Sequence, residues 1–159
     1  MSATKEHPQL KPKHASSVRK PAAVAKLPDM TNVRMNGLEA DVGYALDSRG
    51  RIIVDIVTRD WGLSRAQIAE TLSYRGFSEA DETIDTFLNQ ARIQNRLREM
   101  LEILVRITKW AGGKLQAVSW YRAQPIAAFG DRTAEQLVKS GQAAAVRDYL
   151  DHIALGGFA

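Results

Sequence analysis

The sequence predicts an all-α fold, and three observations support that prediction. Apolar residues recur at spacings of three and four along several segments, which is typical of helices with one buried face. Leu, Ile, Ala and Val dominate the apolar residues, while aromatic residues make up 7% of the chain, as expected where helices pack on helices. No segment shows the alternating pattern of a convincing strand. We therefore expect about six to eight helices.

The first three predicted helices lie between residues 51 and 91. A helix over residues 51–61 is expected to end at Gly62. A second over 64–72 begins with Ser64 and Gln67 spaced as in a capping box. A turn at Gly76 follows, and a third helix is expected to begin at Ser78, with an acidic first turn that the helix dipole favours.

The remaining helices follow from a longer amphipathic pattern and from breaks at glycine and proline. A helix over residues 90–110 is expected to end at Gly112, and a short helix over 115–121 comes before Pro125. Another is expected to be capped by Asp131 and to end at Gly141. The last helix, over residues 142–155, has Gly156 as a natural C-cap.

Charge and composition divide the chain into unequal parts. The net charge is +4, but residues 1–34 contain seven Lys and Arg against two acidic residues, or +5, so the remainder sums to −1. Four of the five prolines also lie there, and this composition predicts a flexible basic arm over residues 1–36. Two interpretations remain open: a solubilising tail, or an arm that binds DNA phosphates.

Catalytic, metal and cofactor sites are not expected, and we predict that the protein is not an enzyme. The chain has no cysteine, and two of its three histidines lie in the arm. The third, His152, shares a helical face with Asp148, which we interpret as a solvated surface. Neither a membrane span nor a secretory signal is evident, so a cytoplasmic location is expected.

Residues 64–69 resemble the first helix of a helix-turn-helix motif, with the small Ala69 where two helices approach closely. The sequence departs from the motif because Ser73 stands where a turn glycine is usual. Residues 78–91 also contain four acidic residues and no Lys or Arg, which disfavours contact with phosphates. If DNA is bound through this element, the expected contacts are Arg65, Gln67, Tyr74 and Arg75.

The segment from Trp120 to Ala159 has an unusual end. No Lys, Arg, Asp or Glu follows Asp151, and the chain closes with Leu155, two glycines, Phe158 and Ala159. Chains usually end in polar residues. One interpretation is a helical subdomain with a frayed end; the other is an apolar plug on a glycine hinge that inserts into a partner's pocket.

This segment resembles the toxin-binding domain of Xre/MbcA/ParS-type antitoxins. The matching residues are Trp120, Pro125, Gly130, Glu135, Leu137, Gly141, Val146, Leu150, Ile153, Gly156, Phe158 and Ala159. Ala134 departs from the pattern, where a proline is common. The resemblance covers about 40 residues, extends more weakly over residues 46–110, and does not reach the arm.

The resemblance implies a domain order and a partner. An Xre-like helix-turn-helix-type domain over residues 37–110 would pack with a toxin-binding domain over 111–159. The partner would be a RES-domain toxin that degrades NAD, blocked at its active site by the C-terminal segment. The expected toxin-binding residues are Trp120, Arg147, Tyr149, Asp151, His152, Leu155, Gly156, Gly157, Phe158 and Ala159.

Two further expectations come from the same resemblance. The Xre-like part would form a homodimer within a larger complex and repress the module's own promoter by binding operator DNA. The alternative function is a stand-alone helix-turn-helix regulator of transcription, in which the C-terminal segment serves for dimerisation. No cofactor is expected under either function.

Overall fold

The computed structural model describes residues 42–73 and 75–156 of the chain. The helices in this part are α1 (Val54–Trp61), α2 (Arg65–Leu72), α3 (Ile84–Leu88), α4 (Ala91–Ala111), α5 (Lys114–Ala123), α6 (Ala134–Lys139) and α7 (Ala143–Ala154). Short 3₁₀ turns precede α1 and α6. The described residues form two isolated β-bridges and no strand. The prediction of an all-α fold is confirmed.

Helix α4 lies at the centre of the molecule. It contacts α2, α3, α5, α6 and α7, and its most extensive contact is with α5. Its buried side chains, among them Leu97, Leu101 and Leu104, belong to one apolar cluster that extends from Val42 to Leu150. Residues on both sides of position 110 therefore share a core. The domain boundary at that position stays a prediction.

Local signals identified several helix ends correctly. Gly62 and Gly112 end α1 and α4 in the left-handed conformation, at φ 65° and 89°. Ser64 begins α2 with a complete capping box: its Oγ accepts from the Gln67 amide at 3.2 Å, and Gln67 Oε1 accepts from the Ser64 amide at 2.9 Å. These caps satisfy backbone donors that the first turn leaves unpaired.

The first helix begins at Val54, three residues later than predicted. The reason is a side chain distant in sequence. The Ile52 amide donates to Gln94 Oε1 at 2.7 Å, and Gln94 Nε2 donates to the Leu88 carbonyl at 2.9 Å. Ile52 also forms a β-bridge with Leu46, so its backbone is extended rather than helical.

The third helix was predicted from Ser78, but α3 begins at Ile84. Asp81 Oδ1 accepts from both the amide and the hydroxyl of Thr83, at 2.9 and 2.6 Å. Such a side-chain turn offers the backbone an alternative to helix, so residues 78–83 form turns. The prediction of a long third helix was wrong for this reason.

The cap of α6 was also assigned to the wrong residue. Asp131 has φ 59°, and α6 is capped by Thr133, whose Oγ1 accepts from the Gln136 amide at 3.3 Å. The segment between α5 and α6 folds back on itself, and a β-bridge joins Ile126 and Arg132. The cap of α6 therefore lies two residues beyond the predicted one.

Two further expectations concern the basic arm and the absence of a membrane span. The basic arm over residues 1–36 lies outside the described residues. Among the helices that are described, none is long and apolar enough to cross a membrane.

Candidate functional site

Helix α7 contains four of the residues predicted to bind a partner, and Leu155 and Gly156 follow it directly. Val146, Leu150 and Ile153 are buried and anchor the helix on the core. Arg147 and Asp151 are four residues apart, and Leu155 is a further four residues along. At this spacing residues share one helical face, which lies beside the buried face of the helix.

Two ion pairs join this face of α7 to α4. Arg147 Nη1 lies 3.1 Å from Glu102 Oε2, and Arg106 Nε lies 3.5 Å from Asp151 Oδ1. All four side chains are 14–28% exposed, so the pairs lie at the rim of the core. Partly exposed pairs contribute little to stability, about 0–1 kcal/mol each. Their main effect is to fix the register of α7 against α4.

Aromatic contacts support the neighbouring part of this surface. Trp120 on α5 is half-buried and meets Trp110 edge to face, with ring centroids 5.7 Å apart and planes at 87°. Tyr149 on α7 meets Phe129 at 5.7 Å and 66°. Partial burial raises the pKa of Tyr149 above its ordinary value. Both predicted residues therefore have an aromatic packing partner and are partly exposed.

Leu155 is the most exposed large apolar side chain in the described part of the chain, at 81%. It follows the last residue of α7, and Gly156 after it has φ 86°, a conformation that glycine adopts without strain. His152, one turn earlier, is also exposed. The predicted residues Gly157, Phe158 and Ala159 lie outside the described residues.

The structure describes seven of the ten predicted partner-binding residues: six lie on α7 or directly after it, and Trp120 lies on α5. It adds three that sequence reasoning missed: Glu102, Arg106 and Phe129. The i,i+4 spacing of Glu102 and Arg106 on α4 was the available signal. Nothing local in the sequence indicated which helix they face.

The residues proposed to contact DNA all have partners within the chain where they are described. Arg65 donates to Asp55 and to Asp85 through its two terminal nitrogens. Gln67 is part of the capping box of α2. To contact DNA, either residue would have to exchange an internal partner for a base edge. DNA contact by Arg65 and Gln67 stays a prediction.

Arg75 is engaged in the same way. Its Nη2 lies 3.1 Å from Asp81 Oδ2, and its guanidinium lies 4.7 Å from the centre of the Phe77 ring. Helix α3, which would have to act as the recognition helix, has five residues and follows α2 after eleven. Helix-turn-helix motifs join their helices by three or four residues. Tyr74 lies outside the described residues.

No group of three or more His, Asp or Glu side chains that could hold a metal ion is found among the described residues. The polar groups of the α4–α7 surface are instead paired with one another. This arrangement suits recognition of another macromolecule by shape, charge and an exposed apolar side chain.

Comparison with known families gives one match. Residues 100–156 match the antitoxin Xre/MbcA/ParS C-terminal toxin-binding domain. No curated protein and no solved structure matches the chain. The matched segment begins inside α4 and ends at Gly156, so it contains both ion pairs, both aromatic pairs and Leu155. The C-terminal part of this chain is therefore similar to the C-terminal toxin-binding domain of the Xre/MbcA/ParS antitoxins.

Proposed function

We propose that the chain is the antitoxin of a toxin–antitoxin pair, and that it neutralises a RES-domain toxin by occluding the active site with its C-terminal segment. The family match supports a toxin as the partner. The RES domain, the degradation of NAD by it and the blocked active site come from the resemblance of residues 120–159 to this antitoxin class. The docking surface would consist of Trp120 on α5, the exposed residues of α7 and the residues after Ala154.

The exposure of Leu155 is the observation that carries this proposal. A leucine that is 81% exposed at the end of a firmly packed helix has most of its apolar area available for a partner. Burying such a side chain contributes about 1.5–3 kcal/mol. Because the buried face and the two ion pairs already hold α7 in place, little backbone freedom of the helix remains to be lost on binding.

Binding of purified toxin to single-site variants tests the docking surface. Leu155→Ala is expected to weaken binding about 10- to 100-fold, which corresponds to about 1.5–3 kcal/mol. Leu115→Ala is the matched control, because Leu115 is 67% exposed but lies in the first turn of α5, where its side chain approaches Gly62 at the end of α1. An equal effect of the two substitutions, or none at Leu155, would contradict docking through α7.

A truncation separates the docking surface from the terminal plug. A chain that ends at Leu155 is expected to keep its helical circular dichroism but to lose protection against the toxin in an NAD-depletion assay. If the truncated chain neutralises the toxin fully, occlusion by the last four residues is wrong, although docking through α7 can still hold. If the co-purified partner consumes no NAD, the assignment to RES toxins fails.

Homodimerisation and repression of the module's own promoter belong to the same proposal and rest on the resemblance. The stand-alone regulator is the alternative function, and the internal pairing of Arg65 and Arg75 gives it less support. Either form of DNA contact predicts operator binding that falls steeply with salt. An Arg75→Gln variant should then bind operator more weakly; absence of binding at low salt would exclude both.

A further inference from the structure

A groove lies between the segment before α1 and helix α3, far along the chain from the toxin-binding surface. Its cavity volume is about 310 Å³. The apolar side chains Ile52, Ile53 and Val54 line it, and carboxylates of Asp47 and Asp85 are among its polar groups. A surface of this kind can accept a side chain with an aliphatic stem and a cationic end.

A second depression continues the groove past Asp85. It has a volume of about 230 Å³ and is lined by Glu79, Asp81 and Glu82 as well. We call the two together the acidic groove. Its lining contains six carboxylates and two guanidinium groups, a net charge of 2 − 6 = −4. Arg75, which pairs with Asp81, reduces this to −3.

We propose that the acidic groove is the docking site of the basic arm of the same chain, through the charged residues within positions 1–34. Charge complementarity is the main argument. The arm contains seven Lys and Arg against two acidic residues, a net charge of 7 − 2 = +5. The described residues begin at Val42, and Asp47 in the groove lining is only five residues further along.

The length of the arm allows this contact. Arg34 is eight residues from Val42, which corresponds to at most about 27 Å of extended chain. Lys20 is 22 residues away, and a chain of that length spans on average about 26 Å when it is unstructured. A folded part of this size has a radius of gyration of about 13 Å. The basic residues can therefore reach the groove without displacing any described element.

Tethering also reduces the affinity that docking needs. A segment joined to its site by a short linker is present there at an effective concentration in the millimolar range. An intrinsic dissociation constant of about 1 mM is then enough for half-occupancy. Pairing between exposed charges is screened by salt, with a Debye length of about 8 Å at physiological ionic strength. Docking should therefore weaken markedly as salt is added.

A spin label on the arm tests the proposal in the full chain. The sequence has no cysteine, so Ser17→Cys allows a single nitroxide between the basic residues of the arm. The nitroxide is expected to broaden the amide signals of Glu82 and Asp85 more strongly than that of Asp148 on α7. About 0.5 M NaCl should remove the difference. Uniform broadening, or broadening centred elsewhere, would overturn the proposal.

Two matched double variants test the role of the carboxylates. Glu79→Gln with Glu82→Gln removes two charges from the groove lining. The new side-chain carbonyl at position 79 can still accept from the Ala66 amide, as the Glu79 carboxylate does. This variant should lose at least half of the broadening. Asp131→Asn with Asp148→Asn removes two exposed charges outside the groove and should retain it. Equal results for the two variants would refute electrostatic docking.

A mixed sample identifies whose arm is bound. Spin-labelled chain without isotope is combined with ¹⁵N-labelled chain without a nitroxide. Docking within one chain predicts no selective broadening in the mixture. If the broadening at Glu82 and Asp85 persists in the mixture, the groove takes the arm of a second copy, and the proposal of docking within one chain is wrong.

Discussion

Arg96 on α4 links the N-terminal helices to the toxin-binding segment through two backbone carbonyls. Its Nη1 donates to the Leu72 carbonyl at 2.9 Å, and its Nη2 donates to the Lys139 carbonyl at 2.7 Å. Leu72 and Lys139 are the last residues of α2 and α6. Carbonyls at a helix C-terminus lack a partner within the helix and carry the negative end of its dipole. One half-buried guanidinium thus satisfies two helix ends.

Arg96→Ala is expected to lower the free energy of unfolding by about 3 kcal/mol. Hydrogen bonds from a charged donor contribute about 1.5 kcal/mol or more each, and two are lost. With an unfolding entropy of about 2.1 cal/mol/K per residue over about 115 folded residues, that corresponds to a fall in Tm of about 12 °C. Chemical denaturation followed by circular dichroism and by tryptophan fluorescence measures the free energy, and a thermal melt measures the Tm.

Two further variants decide whether the two carbonyls are the cause. Arg98→Ala removes one exposed hydrogen bond, from Nη2 to the Gly50 carbonyl, and is expected to cost about 1 kcal/mol or less. Arg96→Lys keeps the charge and the stem but donates to one carbonyl at most, so it should fall between wild type and Arg96→Ala. If Arg96→Ala destabilises no more than Arg98→Ala, the reasoning is refuted.

Three other predictions follow from the described contacts. Gln94→Ala should lower the free energy of unfolding by about 3 kcal/mol, measured by denaturation, because the buried Ile52 amide loses its acceptor. Hydrogen bonds from a backbone amide and from a hydroxyl lower the pKa of Asp47 and Asp81 below the ordinary 3.8. Their stabilisation is therefore present above that pH and is lost as the pH falls through the lower folded values, so Asp47→Asn/Asp81→Asn should flatten the acid side of a stability–pH profile. Burial raises the pKa of Tyr121 well above 10, and no described residue forms a hydrogen bond with its hydroxyl. Tyr121→Phe should therefore keep the stability of the wild type or increase it by up to about 1 kcal/mol. The variant should also lose less stability than the wild type above about pH 10, because the unfolded chain no longer gains free energy by ionising this tyrosine.

Features of the fold that depend on neighbouring residues could be predicted from the sequence. The capping box of Ser64 with Gln67 and the glycine end of α4 at Gly112 were predicted correctly. Both use groups within one helical turn, and the physical reason is complete at that range. The helical periodicity of α4 is likewise a local pattern, and it was sufficient to predict the longest element.

Errors arose where a distant or competing partner decides the local structure. Gln94 holds Ile52 from 42 residues away and prevents helix before Val54. Asp81 turns the chain before α3, although an acidic residue there also suits a first helical turn. The sequence pattern contained both residues, but it did not indicate which of the two possible hydrogen-bonding arrangements would be adopted.

The site shows the same division. From the sequence alone, a leucine at the end of an amphipathic helix can be buried or exposed. Only the packing of α7 shows that Leu155 is 81% exposed. The pairing of Arg147 with Glu102 spans 45 residues and has no local signal. The family resemblance identified the segment that the family model also matches, because a family's residue pattern reflects contacts between residues far apart in the sequence. It did not identify the residues of α4 that complete the surface.

The position of α4 connects the family match to the rest of the molecule. The match begins at residue 100, in the middle of a helix that starts at Ala91. The omitted first turns contain Gln94 and Arg96, which hold the segment before α1 and the ends of α2 and α6. Helix α6 lies within the matched segment, yet one of its end carbonyls is satisfied from outside it. The proposed toxin-binding surface thus depends for its rigidity on helices outside residues 100–156, so we expect a change in the N-terminal helices to alter the affinity for a toxin without touching the surface.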